Sequence, residues 1–153
     1  MFQESSPDFF LFGLAAFLAA HIFYIIFFHQ LRTREGIKGK FFLLIPVIVY
    51  YAGLIIWLSP YLGDMTLPVR IYGLVISFML ILALHMSFIK NKAAGKQMLT
   101  GAILFVISDS VLAINKFYLP FENAGILIML TYGLAQLFIV KGAAAYIRSA
   151  NSN

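Results

Sequence analysis

Apolar residues occur along the chain in long continuous stretches, and short polar loops separate them. Each stretch is about 20 residues long, which is the length that an α-helix needs to cross about 30 Å of hydrocarbon. The pattern predicts an all-α, polytopic membrane bundle of about five transmembrane helices, in a single domain that covers residues 1–153. The predicted helices are 9–29, 41–60, 67–89, 97–117 and 124–146.

The composition agrees with a protein embedded in lipid. Of the 153 residues, 62% are hydrophobic and 11% are charged, whereas soluble domains are about 45–50% apolar and about 25% charged. A core of this size cannot bury such an excess, so lipid must surround the helices. The chain has no cysteine, which excludes disulfides and thiol chemistry. It also has no basic or RNA-motif segment, so the expected partner is membrane lipid and not nucleic acid.

Charged residues alternate between the two ends of the predicted helices. One set of loops is mainly cationic: Arg32, Arg34, Lys38, Lys40, Lys90, Lys92, Lys96, Lys141 and Arg148. The other set is poor in cations and carries Glu4, Asp8, Asp64 and Glu122. The positive-inside rule therefore predicts that the N-terminus lies outside and the C-terminus in the cytoplasm.

Further features bear on the placement in the membrane. Four aromatic residues fall at the predicted outer boundary, as an interfacial belt requires: Trp57, Tyr61, Tyr118 and Phe121. The N-terminus has no positive region before a short apolar core, so we expect no cleaved signal peptide. The expected location is a bacterial cytoplasmic (inner) membrane, with several passes.

Asp109 lies inside the fourth predicted helix. A carboxylate near the bilayer centre costs at least about 2.5–3.5 kcal/mol, so a chain that carries one usually uses it or pairs it. His21 and Gln136 fall close to the midpoints of their own predicted helices. Tyr24 lies one turn from His21, and Tyr132 lies one turn from Gln136. Polar residues of several helices thus share one depth, which predicts a polar cavity inside the bundle.

These residues also have a structural interpretation. A single histidine or tyrosine in an apolar helix is typical of hydrogen-bonded packing, and a glutamine often bonds a neighbouring helix. Asp109 is compatible with a structural ion pair to Lys116 or His21. We favour a functional role for Asp109, because acids within the membrane mark reaction or ion pathways.

The histidines do not indicate a metal site. His21, His29 and His85 lie at different depths, so the sequence predicts neither a metal nor a cofactor. His85 lies near the cytoplasmic end of its helix and is predicted to be solvated. The chain also lacks a phosphate loop, a G-x-S-x-G elbow and an H-E-x-x-H motif.

Several segments resemble the YhhN-like membrane proteins, the lysoplasmalogenase family. Residues 13–24 are similar to the family's G-x3-F-x2-A-H-x2-Y helix, and residues 101–117 closely resemble its G-A-x-L-F-x2-S-D-x2-L-A-x-x-[KR]-F helix. Residues 130–139 resemble the Y-x2-A-Q-x-L-I helix, and residues 68–72 resemble a P-x3-Y helix entry. The order of these motifs covers nearly the whole chain.

The resemblance implies a hydrolase that cleaves the vinyl-ether bond of alkenyl lysophospholipids to a fatty aldehyde and a glycerophospho-alcohol. A vinyl ether hydrolyses by protonation at carbon, which gives an oxocarbenium ion that water attacks. Asp109 is the candidate acid or base of this reaction, and His21 is the candidate proton relay. The candidate substrate-binding residues are Tyr24, Tyr72, Ser108, Asn115, Lys116, Tyr132 and Gln136. Lys116 together with Arg70 is a candidate phosphate-binding pair, and the side of substrate entry stays open.

The chain departs from the family pattern in one respect. Family members have more helices, and an earlier helix carries a second acid in a G-D motif that is absent here. We therefore expect a fragment, a truncated gene product or a shortened homologue. Two other functions remain as alternatives: a proton-coupled small transporter, and a catalytically incomplete, lipid-binding membrane protein.

Overall fold

The computed structural model describes residues 7–120 and 122–151, which form five α-helices joined by short turns. The helices are α1 (Pro7–Arg34), α2 (Leu44–Leu62), α3 (Thr66–His85), α4 (Lys92–Ala113) and α5 (Ala124–Asn151). No strand occurs within the described ranges, which confirms the predicted all-α fold. α1 and α5 continue beyond their predicted apolar spans, because backbone hydrogen bonding does not stop where the side chains become polar.

The helices are those of an integral membrane protein. Four helical stretches are long and apolar enough to cross a membrane: Ala15–Arg34, Phe41–Phe88, Lys92–Tyr118 and Ala124–Ser149. The second of them contains both α2 and α3. The outer surface of the bundle is apolar, and side chains such as Phe41 and Met129 are 83% and 76% exposed. The chain is therefore a multi-pass membrane protein, since only lipid can cover such a surface without cost.

α2 and α3 pack against each other on either side of a turn at Gly63. This residue has a φ of 55°, a conformation that glycine adopts without steric cost. Beyond the turn, the Tyr51 hydroxyl of α2 donates a hydrogen bond of 2.9 Å to the Arg70 carbonyl of α3. The ring of Tyr51 also covers Gly73, where a Cβ atom would collide with it. The two helices are thus antiparallel neighbours and not one continuous rod.

α4 and α5 make the most extensive contact in the bundle, and a glycine on each helix permits it. A Cβ atom added at Gly101 of α4 would lie 2.7 Å from the carbonyl oxygen of Ala135. A Cβ atom added at Gly142 of α5 would lie 2.8 Å from the carbonyl oxygen of Ala94. Both distances are too short for a side chain, so the two backbones approach as closely as small residues allow in a membrane.

α3 and α4 occupy the centre of the bundle. α3 packs against α1, α2 and α4, while α4 packs against α3 and α5. The main core is apolar and includes fully buried side chains such as Met79 of α3 and Phe105 of α4. A smaller cluster of Tyr72, Ile76 and Val106 joins α3 to α4 nearer the other end of the helices. The polar residues described below adjoin this smaller cluster.

α4 continues into a π-helical segment, Ile114–Tyr118, and segments of this kind occur frequently near functional sites. The Tyr118 ring at its end lies 5.0 Å from the ring of Trp57 and 5.0 Å from the ring of Tyr61. These three residues form an aromatic cluster at the end of the bundle where the outer belt is predicted. Phe121 and Glu4, which belong to the same predictions, lie outside the described residues.

The α4–α5 contact predicts which glycines stabilise the fold. Gly101→Ala and Gly142→Ala should each lower the free energy of unfolding by about 1–3 kcal/mol, because the added methyl group forces the two helices apart. Gly133→Ala is the matched control on α5, since a Cβ atom at Gly133 meets nothing within 4 Å. Reversible unfolding in mixed detergent micelles measures all three variants. Equal stability of Gly101→Ala and Gly133→Ala would contradict the close contact.

Candidate functional site

The carboxyl group of Asp109 lies between α1 and α3, and its side chain is only 12% exposed. The Tyr72 hydroxyl of α3 donates a hydrogen bond of 3.2 Å to Oδ1. Oδ2 lies 3.6 Å from Nε2 of His21 on α1. Neither Oδ2 nor Nε2 has a hydrogen-bond partner within the described part of the chain. The two atoms that face each other across this gap are therefore the unsatisfied pair of the site.

The hydrogen bond that His21 makes through Nδ1 determines the protonation of Nε2, the ring nitrogen that faces Asp109. Nδ1 lies 2.7 Å from the carbonyl oxygen of Phe17, and a carbonyl oxygen only accepts, so Nδ1 carries a proton and donates. In neutral imidazole Nε2 is then an acceptor. A protonated Asp109 would donate to it, and an ionised Asp109 would face an imidazolium. In either case one proton lies between Nε2 of His21 and Oδ2 of Asp109.

A cavity reaches Asp109 from the space between α2, α3 and α4. Its volume is about 70 Å³. Its lining is mostly apolar, but the part near Asp109 adds polar groups: Tyr50, Tyr72 and Ser110. Tyr50 of α2 and Ser110 of α4 are hydrogen-bonded to each other through their hydroxyl groups. The cavity therefore has a polar end at Asp109 and mostly apolar walls elsewhere, where the hydroxyls of Tyr51 and Ser77 are bonded to backbone carbonyls.

A second polar group joins α1 to α5. The Tyr24 hydroxyl donates to Oε1 of Gln136, and Nε2 of Gln136 donates a hydrogen bond of 3.0 Å to the Tyr132 hydroxyl. The buried ring of Phe105 contacts both groups, with centroids 5.0 Å from His21 and 5.1 Å from Tyr132. Tyr24, Tyr132 and Gln136 are not among the residues that line the Asp109 cavity.

The other predicted site residues are placed as follows. Tyr72 lines the cavity and contacts Asp109 directly. Ser108 is buried and donates a hydrogen bond of 3.1 Å to the Ile128 carbonyl, which ties α4 to α5. Asn115 is half-buried and Lys116 is exposed, and both belong to the π-helical segment beyond Asp109. The structure thus brings His21, Tyr72 and Asp109 together and distributes the rest around them.

Two residues of the site are not among the candidate catalytic and substrate-binding residues that the sequence predicts. Tyr50 and Ser110 line the cavity beside Asp109. Ser110 follows Asp109 directly, and this adjacency was a usable signal. Tyr50 lies on a separate helix in an apolar stretch, where neither spacing nor composition identifies the face that it occupies.

The prediction that His85 is solvated is wrong. His85 is 4% exposed. Its Nδ1 donates a hydrogen bond of 2.7 Å to the Ile81 carbonyl, so Nε2 accepts a hydrogen bond of 3.1 Å from the backbone N–H of Lys40. The imidazole is buried because the α1–α2 loop folds over the end of α3, a long-range contact that the sequence of α3 does not reveal.

The described residues contain no group of three or more His, Cys, Asp or Glu side chains that could hold a metal ion. The side chains at the site offer instead a carboxyl group, an imidazole and two tyrosine hydroxyls. Such a set can donate and accept protons and can orient a polar group, and the apolar cavity walls suit a hydrocarbon chain.

The facing atoms of His21 and Asp109 predict an energetic coupling. The unfolding free energies of His21→Leu, Asp109→Asn and the double variant should deviate from additivity by about 0.5–3 kcal/mol. His21→Leu leaves Oδ2 facing no polar atom, and Asp109→Asn removes the ionisable group that faces Nε2. The control cycle pairs Asp109→Asn with Thr100→Ala, nine residues away on α4, or about 13 Å along the axis. That cycle should be additive within about 0.5 kcal/mol. Equal coupling in both cycles would mean that His21 and Asp109 do not interact.

Comparison with known proteins identifies relatives over most of the chain. The model of the YhhN family matches residues 1–143. Lysoplasmalogenase TMEM86B of Sus scrofa is 35% identical over 133 residues, which cover 87% of this chain and 53% of that protein. Lysoplasmalogenase TMEM86B of Homo sapiens is 36% identical over 137 residues, which cover 90% of this chain and 55% of that protein.

A bacterial relative is similar to the same extent. Lysoplasmalogenase of Mycobacterium tuberculosis is 33% identical over 136 residues, which cover 87% of this chain and 50% of that protein. The chain thus spans about half the length of the curated relatives that it matches. No solved structure matches the chain significantly. The family match over residues 1–143 and the relatives above one-third identity show that the chain belongs to the YhhN family.

Proposed function

We propose that this chain acts in the hydrolysis of lysoplasmalogens, in which the vinyl-ether bond of an alkenyl lysophospholipid is cleaved to a fatty aldehyde and a glycerophospho-alcohol. The observation that carries the proposal is a buried carboxyl group at the polar end of an apolar cavity, in a chain similar to curated lysoplasmalogenases. The apolar walls accommodate hydrocarbon, and the polar end accommodates the ether group.

The proposed reaction begins with Asp109 as the acid. Its proton passes to the second carbon of the alkenyl chain, and the positive charge that forms is shared between the first carbon and the ether oxygen. Water adds to the first carbon and gives a hemiacetal. The C–O bond to glycerol then breaks, the glycerol oxygen receives a proton, and the chain leaves as an aldehyde. One water molecule is consumed, and Asp109 is protonated again at the end.

His21 is the proposed proton relay. Its Nδ1 is held by the Phe17 carbonyl, so Nε2 points at Oδ2 of Asp109. This nitrogen accepts the proton that the attacking water releases and returns it to Asp109. Tyr72 holds Oδ1, which leaves Oδ2 as the oxygen that exchanges the proton. A carboxyl group that is held at Oδ1 and faces the imidazole at Oδ2 loses little orientation during the reaction.

Tyr24, Gln136 and Tyr132 have a proposed positioning role. Their hydrogen bonds connect α1 to α5 one turn from His21. Phe105 packs against the imidazole from the same side. This contact holds α1 at the depth and rotation that direct Nε2 toward Asp109, and Ser108 supports it by tying α4 to α5.

The role of Asp109 is tested by aldehyde release from an alkenyl lysophospholipid in detergent. Asp109→Asn should lower the rate by about 10²- to 10⁴-fold, because the amide cannot supply the proton that general acid catalysis requires. Asp64→Asn is the control, since Asp64 is an exposed acid in the α2–α3 turn. Equal rates in wild type and Asp109→Asn would remove Asp109 from the reaction. A pH change inside liposomes without aldehyde release would indicate a transporter instead.

We also propose five membrane crossings in a bacterial cytoplasmic membrane, with the N-terminus outside and the C-terminus in the cytoplasm. The stretch Phe41–Phe88 has 48 residues, and a straight helix of that length would extend about 72 Å, more than twice the hydrocarbon thickness. The hydrogen bond from Tyr51 to Arg70 supports two antiparallel crossings within it. The cationic loops supply the orientation.

Because the chain has no cysteine, single introduced cysteines report the orientation directly. Asp64→Cys should react with a membrane-impermeant maleimide added to intact spheroplasts, because the α2–α3 turn lies outside. Lys38→Cys should react only after permeabilisation, because the α1–α2 loop lies in the cytoplasm. Both positions are exposed, and the cysteine-free parent is the background control. The reverse labelling pattern would invert the topology.

A further inference from the structure

The Asp109 cavity extends toward the end of the bundle where α3 begins and α4 ends. Its lining at that end includes Leu58 of α2, which is fully buried, and Val69 of α3 and Phe117 of the π-helical segment, which are partly exposed. We call the partly exposed pair, Val69 and Phe117, the mouth of the cavity. Phe117 lies eight residues beyond Asp109, or about 12 Å along the helix axis. A substrate that enters by the mouth therefore reaches the carboxyl group after a short apolar passage.

The end of the bundle that contains the mouth carries two cationic residues, although most cationic residues lie at the opposite end. The chain has 11 Lys and Arg residues, all within the described part, and nearly all belong to the opposite end of the bundle. At this end there are two, Arg70 and Lys116. Each directly adjoins a residue of the mouth, Val69 or Phe117. Their place at an end of the bundle that is otherwise poor in cations distinguishes them from the loop charges that set topology.

Arg70 is held against α2 near this end of the cavity. The Tyr51 hydroxyl binds its carbonyl oxygen at 2.9 Å, and its Nη2 donates to Ser59 Oγ at 3.4 Å across the α2–α3 contact. Ser59 follows Leu58 and donates a hydrogen bond to the Ile55 carbonyl, and both Leu58 and Ile55 line the cavity. A guanidinium has five N–H donors, and the bond to Ser59 uses one of them. The side chain is exposed, so the planar fork that suits a phosphate is accessible beside the opening.

We propose that Arg70 binds the phosphate of the lysophospholipid and that the substrate enters through this mouth, from the leaflet at the α2–α3 turn. The proposal rests on the function proposed above and specifies the head-group site for it. In a lysophospholipid only the three glycerol carbons and one oxygen separate the ether oxygen from phosphorus. Arg70 precedes Tyr72 by two residues, about 3 Å along α3, and Tyr72 contacts Asp109. Arg70 and Tyr72 therefore lie at similar depths in the membrane, and a phosphate at Arg70 places the vinyl ether at about the depth of the carboxyl group.

Lys116, the other cation at this end, is exposed and precedes Phe117 in the π-helical segment. The acids in the turns at this end are Asp64, before α3, and Glu122, before α5. They belong to the turns and not to the cavity lining. The phosphate of a bilayer lipid has the same chemistry as that of the substrate, so the test must separate a substrate site from general contact with head groups.

The test measures equilibrium binding in maltoside micelles without phospholipid, with saturated ether analogues that lack the vinyl-ether bond. The probes are a 1-O-alkyl-lysophosphocholine and the matching 1-O-alkylglycerol, which lacks the phosphate. Arg70→Gln should raise the Kd of the phosphate-bearing probe by about 10- to 100-fold, as expected for a lost hydrogen bond to a charged group. The Kd of the alkylglycerol should not change, and Arg70→Lys should restore part of the difference.

Arg148→Gln is the matched control, because Arg148 is an exposed arginine at the opposite end of the bundle. It should leave both Kd values unchanged. An equal loss of affinity for both probes in Arg70→Gln would mean that Arg70 stabilises the fold and does not bind the phosphate. No loss in Arg70→Gln would mean that the arginine contacts only bilayer head groups. Either result overturns the site, and neither depends on aldehyde release, which tests the proposed hydrolysis separately.

Discussion

A carboxyl group at the depth of Asp109 must be shielded from lipid, and the arrangement of the helices follows from that requirement. Leaving such a group in hydrocarbon costs several kcal/mol, and no single helix can cover it. α3 contributes the Tyr72 hydroxyl to one oxygen, and α1 presents the His21 imidazole to the other. Asp109 of α4 thus faces a polar side chain on each of two other helices, and this contact links three helices at one depth.

Close backbone contact elsewhere in the bundle makes this arrangement possible. Gly101 and Gly142 let α4 and α5 approach without intervening side chains. The resulting pair forms a firm support behind Asp109, to which the Ser108 hydroxyl adds a hydrogen bond. On the other side, α2, α3 and α4 leave a space that side chains such as Tyr50, Tyr51 and Tyr72 line. Dense packing on one side and larger spacing on the other leave the cavity next to the carboxyl group.

The site also lies off-centre along the helix axes, which places it nearer one surface of the membrane than the other. Between Tyr72 and the start of α3 there are only six residues, or about 9 Å of helix. The site therefore lies closer to the end that carries Arg70 and the Trp57–Tyr61–Tyr118 cluster than to the cationic loops. An amphiphile anchored at that interface has its head group near the arginine and its apolar chain within reach of the cavity. The depth of Asp109 and the position of the mouth thus suit a lipid-like substrate.

Several features followed from the sequence alone, because they depend on local properties. The length of each apolar stretch determines whether it can span lipid, so the all-α membrane class was predictable. Helical periodicity placed Tyr132 one turn from Gln136, and their hydrogen bond confirms it. The S-D pair within an apolar helix identified Asp109 as an exceptional residue, and the order of the motifs identified the family that the comparison then showed.

Other features were decided by tertiary structure, since they depend on how each helix is rotated against its neighbours. A hydrophobic stretch has no polar face to indicate its orientation, so the sequence could not show that Tyr50 points at Ser110. Nor could the sequence show that Tyr24 and Gln136 lie outside the cavity, because they lie at the same depth as Asp109. His85 became buried only when a loop 45 residues away folded onto it. Depth is encoded along a helix, but direction around its axis is set by packing between helices.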